Sequence, residues 1–132
     1  MPKLKLSYFD FDGGRAEPAR LAMFIAGIDF EDHRIPFAQW PAVKSEMPLH
    51  AIPVLEVDGT VLTQSNTINR YVGRLAGLYP EDTWQATLCD ETMAAIEDIG
   101  SMVVATFRMA DEEKKAAREV LSKGAMPLYL GW

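Results

Sequence analysis

The chain has 132 residues, 48% of them hydrophobic, which is enough for a real core and little more. Thirteen Lys and Arg stand against nineteen Asp and Glu, a net charge of -6 that argues against nucleic acid or an anionic membrane as partner. The single cysteine, Cys89, excludes an internal disulfide and a Cys-only metal site, and it fits a reduced, cytoplasmic setting. His33 and His50 are too few for an evident metal cluster, no apolar run nears the ~20 residues that span a bilayer, and the N-terminus lacks the apolar stretch of a signal peptide.

Lys3 to Phe9 alternates, with Leu4, Leu6 and Tyr8 on one face and Lys3, Lys5 and Ser7 on the other, the period of a strand. Asp10 to Gly14 reads as a turn. A helix follows from Arg15 to Ala26, with Pro18 tolerated in its first turn. Leu21, Ala22, Phe24 and Ile25 are its expected apolar stripe and Gly27 its stop. Phe30 to Ile35 reads as a second strand, and Pro36 to Pro48 as loop. Val54 to Val57, Asp58-Gly59 and Thr60 to Thr63 form the strongest local signal, a hairpin about an Asp-Gly turn. Ser65 is expected to cap a helix from Asn66 to Ala76 that carries Ile68, Val72 and Leu75 on one face.

From Glu81 the pattern is helical throughout. A long helix is expected from Glu81 to Met109, holding Met93, Ile96, Val103 and Val104. A second is expected from an Asp111 cap to Ser122, before Gly124 and Pro127 interrupt it. A strand, a crossover helix and a strand imply a parallel pair, to which the hairpin adds antiparallel strands. The expected division is therefore an α/β domain over residues 1–79 and an all-helical segment over residues 80–132. Two helices alone cannot bury their own apolar faces, so other surfaces are needed to cover them.

Several stretches, taken in order, resemble one family. They are Leu6-Ser7-Tyr8-Phe9, Gly14-Arg15-Ala16-Glu17, Glu31-Asp32-His33-Arg34-Ile35, Trp40-Pro41, Ile52-Pro53-Val54-Leu55-Glu56-Val57-Asp58-Gly59 and Gln64-Ser65, with a looser match at Asn69-Arg70-Tyr71 and Glu97-Asp98. The chain is similar to the cytosolic glutathione transferases, closest to the sigma class, to which haematopoietic prostaglandin D synthase belongs. The resemblance implies a thioredoxin-like, glutathione-binding N-terminal domain, the start of an all-α C-terminal domain, and a homodimer. Members of the family continue through further helices, so residues 80–132 are expected to be an incomplete helical domain, exposing apolar surface on the second helix.

The chemistry such a protein must solve is the activation of a thiol. A free thiol titrates near 8.5, so only a few per cent is thiolate at pH 7. Lowering that value by ~2 units takes ~2.7 kcal/mol of differential stabilisation, much of which one aimed hydroxyl donor can supply. By itself Tyr8 reads as a core tyrosine ending a strand; by the resemblance it is the catalytic hydroxyl. Arg15, otherwise a surface or capping charge, matches an arginine that organises the electrostatics of that tyrosine. The Asp10 to Gly14 turn is one residue longer than is usual in the family.

The remaining roles are likewise implied by the resemblance. Ile52-Pro53 resembles the cis-proline junction at which the backbone of the preceding residue pairs with glutathione; taken alone it is a turn before a strand. Gln64 and Ser65 match the helix N-terminus that receives the γ-glutamyl carboxylate, where a plain serine cap is the ordinary alternative. Trp40 and Lys44, otherwise a packing aromatic and a solvated charge, match contacts to the glycine end of glutathione. Asp98 matches an acid that reaches the glutathione amine across the dimer interface, and is otherwise a surface carboxylate. Cys89, Met93, Met102 and Met109 read as packing residues.

The implied function is conjugation of the glutathione thiolate to small hydrophobic electrophiles, a detoxification chemistry with glutathione as co-substrate and no metal or other cofactor. Glutathione-dependent isomerisation of a prostaglandin endoperoxide is an alternative, although Ala105 stands where that enzyme projects an aromatic residue. A non-enzymatic, crystallin-like or thiol-binding protein is a third.

Overall fold

The computed structural model describes residues 1–132. They form two compact units, Met1–Pro80 and Glu81–Trp132.

In the first unit β1 (Leu4–Phe9) leads through a single 3-10 turn (Gly14–Ala16) into α1 (Glu17–Ile25) and on to β2 (Glu31–Ile35). The chain then makes a short helix, α2 (Trp40–Val43), and two 3-10 turns at Lys44–Glu46 and Pro48–His50 before the hairpin of β3 (Val54–Val57) and β4 (Thr60–Thr63). α3 (Ser65–Leu75) completes the unit. Where a plain loop was expected over residues 36–48, Pro41 in the first turn of α2 supplies a backbone already set for helix. The sheet order is β2-β1-β3-β4, with β1 parallel to β2 and antiparallel to β3, and β3 antiparallel to β4. The hairpin turns on Asp58 and Gly59 at φ 49° and 82°, the paired positive values of a type I′ turn. The Asp58 side chain also accepts a bond from the Lys3 N–H at 2.9 Å, tying the turn to the start of β1.

Leu4, Leu6 and Tyr8 point into one core with Leu55 from β3, Ala16, Ala19 and Met23 from the α1 segment, and Ile68 and Val72 from α3. This corrects the expected face of α1. The helix lays Ala19, Arg20 and Met23 inward, while Leu21 and Ile25 are exposed and Phe24 is 82% exposed. The small side chains of Ala16 and Ala19 let the helix approach the sheet closely; hydrophobicity alone selects the wrong stripe. α3 also begins one residue earlier than expected. Gln64 takes the cap position at φ 72°, so Ser65 is the first helical residue and no side-chain cap bond forms.

The second unit contains α4 (Thr83–Ala105), α5 (Asp111–Lys123) and α6 (Ala125–Leu130). α4 is shorter than the expected span at both ends. Asp82 caps it by accepting the Gln85 N–H at 2.9 Å. At the other end the Thr106 hydroxyl bonds Val103 O at 2.7 Å, and the Thr106 and Phe107 N–H groups close short turns on Val103 O and Val104 O. α5 is capped by Ala110 rather than Asp111, which instead lies in the acidic first turn, where it complements the helix dipole. α6 is a helix that the sequence reading missed, with Pro127 tolerated in its first turn.

Candidate active site

The sheet register gathers the expected site residues of the first unit at one end. Phe9 faces Ile35 across the parallel pair, Ser7 faces Val54, and Val54 faces Thr63. The end of β1, the loop after β2, the start of β3 and the end of β4 therefore share one edge. Tyr8, Trp40 and Lys44, Ile52 and Pro53, and Gln64 and Ser65 all lie on those segments. From β1 to β4 there are two inter-strand spacings, about 10 Å, and an extended tripeptide is about 10 Å long.

Tyr8 is buried, and its hydroxyl accepts a hydrogen bond from the Arg15 backbone N–H at 3.2 Å. A phenol that accepts through a lone pair keeps its own proton to donate elsewhere, and the accepted bond favours that donation. This approach depends on Gly14, which sits at φ 70°. A Cβ there would lie 2.7 Å from the Tyr8 hydroxyl and 2.9 Å from Cζ of Phe11, so no side chain fits. Arg15 meets the phenol through its backbone N–H.

A guanidinium beside the phenol ring belongs to Arg20, which the sequence alone does not single out. Arg20, 6% exposed, holds its Cζ 5.9 Å from the Tyr8 ring centroid. Its Nε donates to Asp32 at 3.0 Å and its Nη1 to Phe11 O at 3.0 Å and Glu17 at 3.4 Å; its Nη2 is buried without a hydrogen-bond partner. Glu17 in turn accepts the Gly13 N–H at 3.0 Å. Arg20 therefore braces the turn that lies over Tyr8 from two sides. The register explains the pairing, because Asp32 lies beside Leu6 and Arg34 beside Tyr8 on the face that α1 covers. The other oxygen of Asp32 accepts Arg34 Nε at 2.8 Å, while Arg34 Nη1 reaches Asp12 at 3.0 Å. These bonds, to Asp32 first and then Asp12, hold the Arg34 guanidinium protonated even more firmly than usual. A sequence signal for this network existed in the i, i+3 pair Glu17 and Arg20 followed by Asp32-His33-Arg34.

Around this end runs a set of aromatic rings. Tyr8 meets Phe11 at 5.8 Å, Phe11 stacks on Phe37 at 5.8 Å, Phe37 stacks on Phe9 at 4.7 Å, and Trp40 meets Phe9 edge-on at 5.4 Å. Trp40 is half-buried and Lys44 exposed. The Ile52-Pro53 bond is cis, immediately ahead of β3. Gln64, at φ 72° and ψ 115°, holds a backbone conformation that costs a non-glycine residue of order 1–3 kcal/mol and that recurs where chains grip ligands. It delivers Ser65 to the open N-terminal turn of an 11-residue helix.

Asp98 belongs to the second unit. It accepts a hydrogen bond from the Tyr129 hydroxyl at 3.3 Å and lines an open cleft of about 450 Å³ with Leu128 and Trp132. The Asp98 charge, above all, raises the Tyr129 hydroxyl above its ordinary value of 10.0. No helix of the protein is long and apolar enough to cross a membrane.

Residues 4–74 match the family model described as glutathione S-transferase, N-terminal domain. Glutathione S-transferase 1 of Ascaris suum is 39% identical over 128 residues, covering 96% of this chain and 62% of its own. Among solved structures, prostaglandin synthase D of Nilaparvata lugens superposes with a TM-score of 0.91 at 39% identity, covering 98% of this chain and 65% of its own. The sigma class GST of Fasciola hepatica superposes at 0.83 with 32% identity, covering 98% and 64%. The chain thus spans less than two thirds of the length of these three proteins.

Proposed function

The chain belongs to the glutathione S-transferase family, with a thioredoxin-like N-terminal domain, and from that premise we propose that the protein conjugates glutathione to small hydrophobic electrophiles. The observation that carries this reading is the Tyr8 hydroxyl, which accepts the Arg15 N–H and so keeps its proton for another acceptor. In the proposed complex that proton is shared with the glutathione sulfur. The charge-assisted bond stabilises the thiolate over the thiol, whose proton passes to water. The sulfur lone pair then forms a bond to the electrophilic carbon.

Binding follows from the common edge of the sheet. The backbone of Ile52, ahead of Pro53, pairs with the cysteinyl residue in the manner of an added strand. The γ-glutamyl carboxylate rests on Gln64 and on Ser65, at the N-terminus of α3. Trp40 and Lys44 receive the glycine end, with Lys44 as counter-charge to its carboxylate. Arg15 completes the catalytic pair through its backbone N–H. Glutathione is co-substrate, and the proposed chemistry calls on no other cofactor. We further assign the protein to the cytosol as a homodimer, in which Asp98 meets the glutathione amine bound by the partner subunit; sedimentation of the protein as a dimer is expected. A second reading, prostaglandin isomerisation, draws support from the likeness to the Nilaparvata lugens synthase.

The test is calorimetric titration with glutathione together with the absorbance assay for conjugation of chlorodinitrobenzene. Saturable binding and enzyme-dependent conjugation are expected. Binding without any conjugation would favour the non-catalytic alternative, and absence of binding would remove the reading altogether.

A further inference from the structure

Arg20 is buried beside the turn that leads from β1 into α1, and nothing in the function just proposed uses it. We propose that Arg20 is a positioning residue that sets the acidity of the bound thiol; the inference rests on the conjugation reading. It acts through the turn and the Arg15 N–H, without touching the sulfur. Stability alone is a poor account of such a side chain. A buried ion pair is often no more stabilising than apolar packing of the same volume. The buried Nη2 of Arg20 has no hydrogen-bond partner, which is a further cost. What the guanidinium does supply is a fork. Its Nε is fixed to Asp32 on β2, and its Nη1 donates to the Phe11 carbonyl at 3.0 Å and to Glu17 at 3.4 Å. Glu17 takes the Gly13 N–H at 3.0 Å. The turn is thus held at Phe11 and at Gly13, immediately ahead of the Gly14–Arg15 peptide.

The bond that depends on this turn has little slack. The Arg15 N–H reaches the Tyr8 hydroxyl at 3.2 Å, the long end of the N–H···O range. The Gly14 backbone already lies against the phenol, where a Cβ would be 2.7 Å from the Tyr8 oxygen. A loosened turn therefore moves away from the phenol and lengthens the bond. An N–H that engages one lone pair of the hydroxyl directs its proton elsewhere and strengthens the bond that proton makes. Once the N–H withdraws, the hydroxyl is free to rotate and its bond to the sulfur weakens. The bound thiol then titrates at a higher pH, while the contacts assigned to Trp40, Ile52 and Ser65 stay in place. Arg34 reaches the same turn at Asp12, but Asp12 is 86% exposed, so water screens that pair and it holds little. The Arg20 guanidinium also lies 5.9 Å from the Tyr8 ring centroid. Asp32 and Glu17 offset its charge, which leaves the fork as its main effect.

The experiment titrates the ultraviolet absorbance of bound glutathione against pH in the native protein, Arg20→Met, Arg20→Lys and Arg34→Met. In Arg20→Met the bound thiol is expected to titrate about 0.5–1 pH unit above its native value, the scale of one neutral hydrogen bond. The pH profile of kcat/KM for chlorodinitrobenzene should shift by the same amount, with the loss made good at high pH. Affinity for S-methylglutathione, which has no thiol to titrate, should be unchanged. Arg20→Lys keeps the charge on a single nitrogen and should recover part of the shift; it carries the same test should Arg20→Met not fold. Arg34→Met should titrate like the native protein. A merely structural Arg20 would lower the folded fraction, and with it the amplitude of the signal, without moving the titration. That result overturns the inference while conjugation stands. So does an equal shift in Arg34→Met, and so does full recovery in Arg20→Lys, which would make charge rather than the fork the cause. If glutathione does not bind, or Tyr8→Phe titrates like the native protein, the conjugation reading has failed first, and this inference falls with it.

Discussion

Leu6 of β1 and Leu55 of β3 face each other across the antiparallel pair and are both fully buried, whereas Ile96, in the middle of α4, is 66% exposed. The contrast runs through the two units. Every buried hydrophobic side chain lies in residues 1–80, and in residues 81–132 only Thr106 is buried. The first unit folds a four-stranded sheet and two helices around a core of its own. The second presents Trp84, Ile96, Phe107 and Leu128 outward. The role proposed for the Tyr8 hydroxyl needs a frame that holds it to a fraction of an ångström, and Tyr8 is set in the unit that has such a frame. Helices without a buried stripe draw their stability from whatever else covers them.

Large-to-small substitutions probe that contrast most strongly. Leu55→Ala is expected to lower stability by about 3 kcal/mol, as for a fully buried leucine. Ile96→Ala should change it by no more than about 0.5 kcal/mol. Urea unfolding measures both. A loss at Ile96 as large as that at Leu55 would break the comparison. Arg20→Met sharpens it next. It leaves Asp32, Glu17 and the Phe11 carbonyl without their buried donor, and about 2 kcal/mol of destabilisation is expected, below the range for a wholly buried pair because Asp32 keeps some access to water. The same urea series reads the loss, and an unchanged midpoint would remove Arg20 as a brace. Smaller again is Ser65→Ala, expected to weaken glutathione binding by about 1–2 kcal/mol, one charged hydrogen bond. Calorimetry decides it, and an unchanged affinity would leave the N-terminus of α3 without the assigned carboxylate.

The strands and hairpin were legible because their signals are local. Alternation marks β1, and Asp58-Gly59 between β-rich runs fixes a type I′ turn regardless of the rest of the chain. The face of α1 was not legible, since the choice between Phe24 and Met23 as the inward residue depends on how closely Ala16 and Ala19 let the helix approach the sheet. Arg20 was passed over for a related reason. A helical arginine looks solvated until the β1–β2 register sets Asp32 on the covered face. Tyr8, Trp40, Ile52, Pro53, Gln64 and Ser65 were singled out by resemblance to the family's motifs, and the register brings the segments that carry them to one end of the sheet. The bond from the Arg15 N–H to the Tyr8 hydroxyl depends on the path of the turn between them, and a motif carries no such information.

The central claim is that the Tyr8 hydroxyl holds the glutathione sulfur as thiolate, and the ultraviolet absorbance of bound glutathione titrated against pH tests it most directly. In the native protein the bound thiol should titrate well below its ordinary value near 8.5. In Tyr8→Phe, which keeps the ring and removes only the hydroxyl, glutathione should still bind and the titration should move back up towards that value. Identical curves for the two proteins would contradict the account, because the stabilising donor would then be some other group.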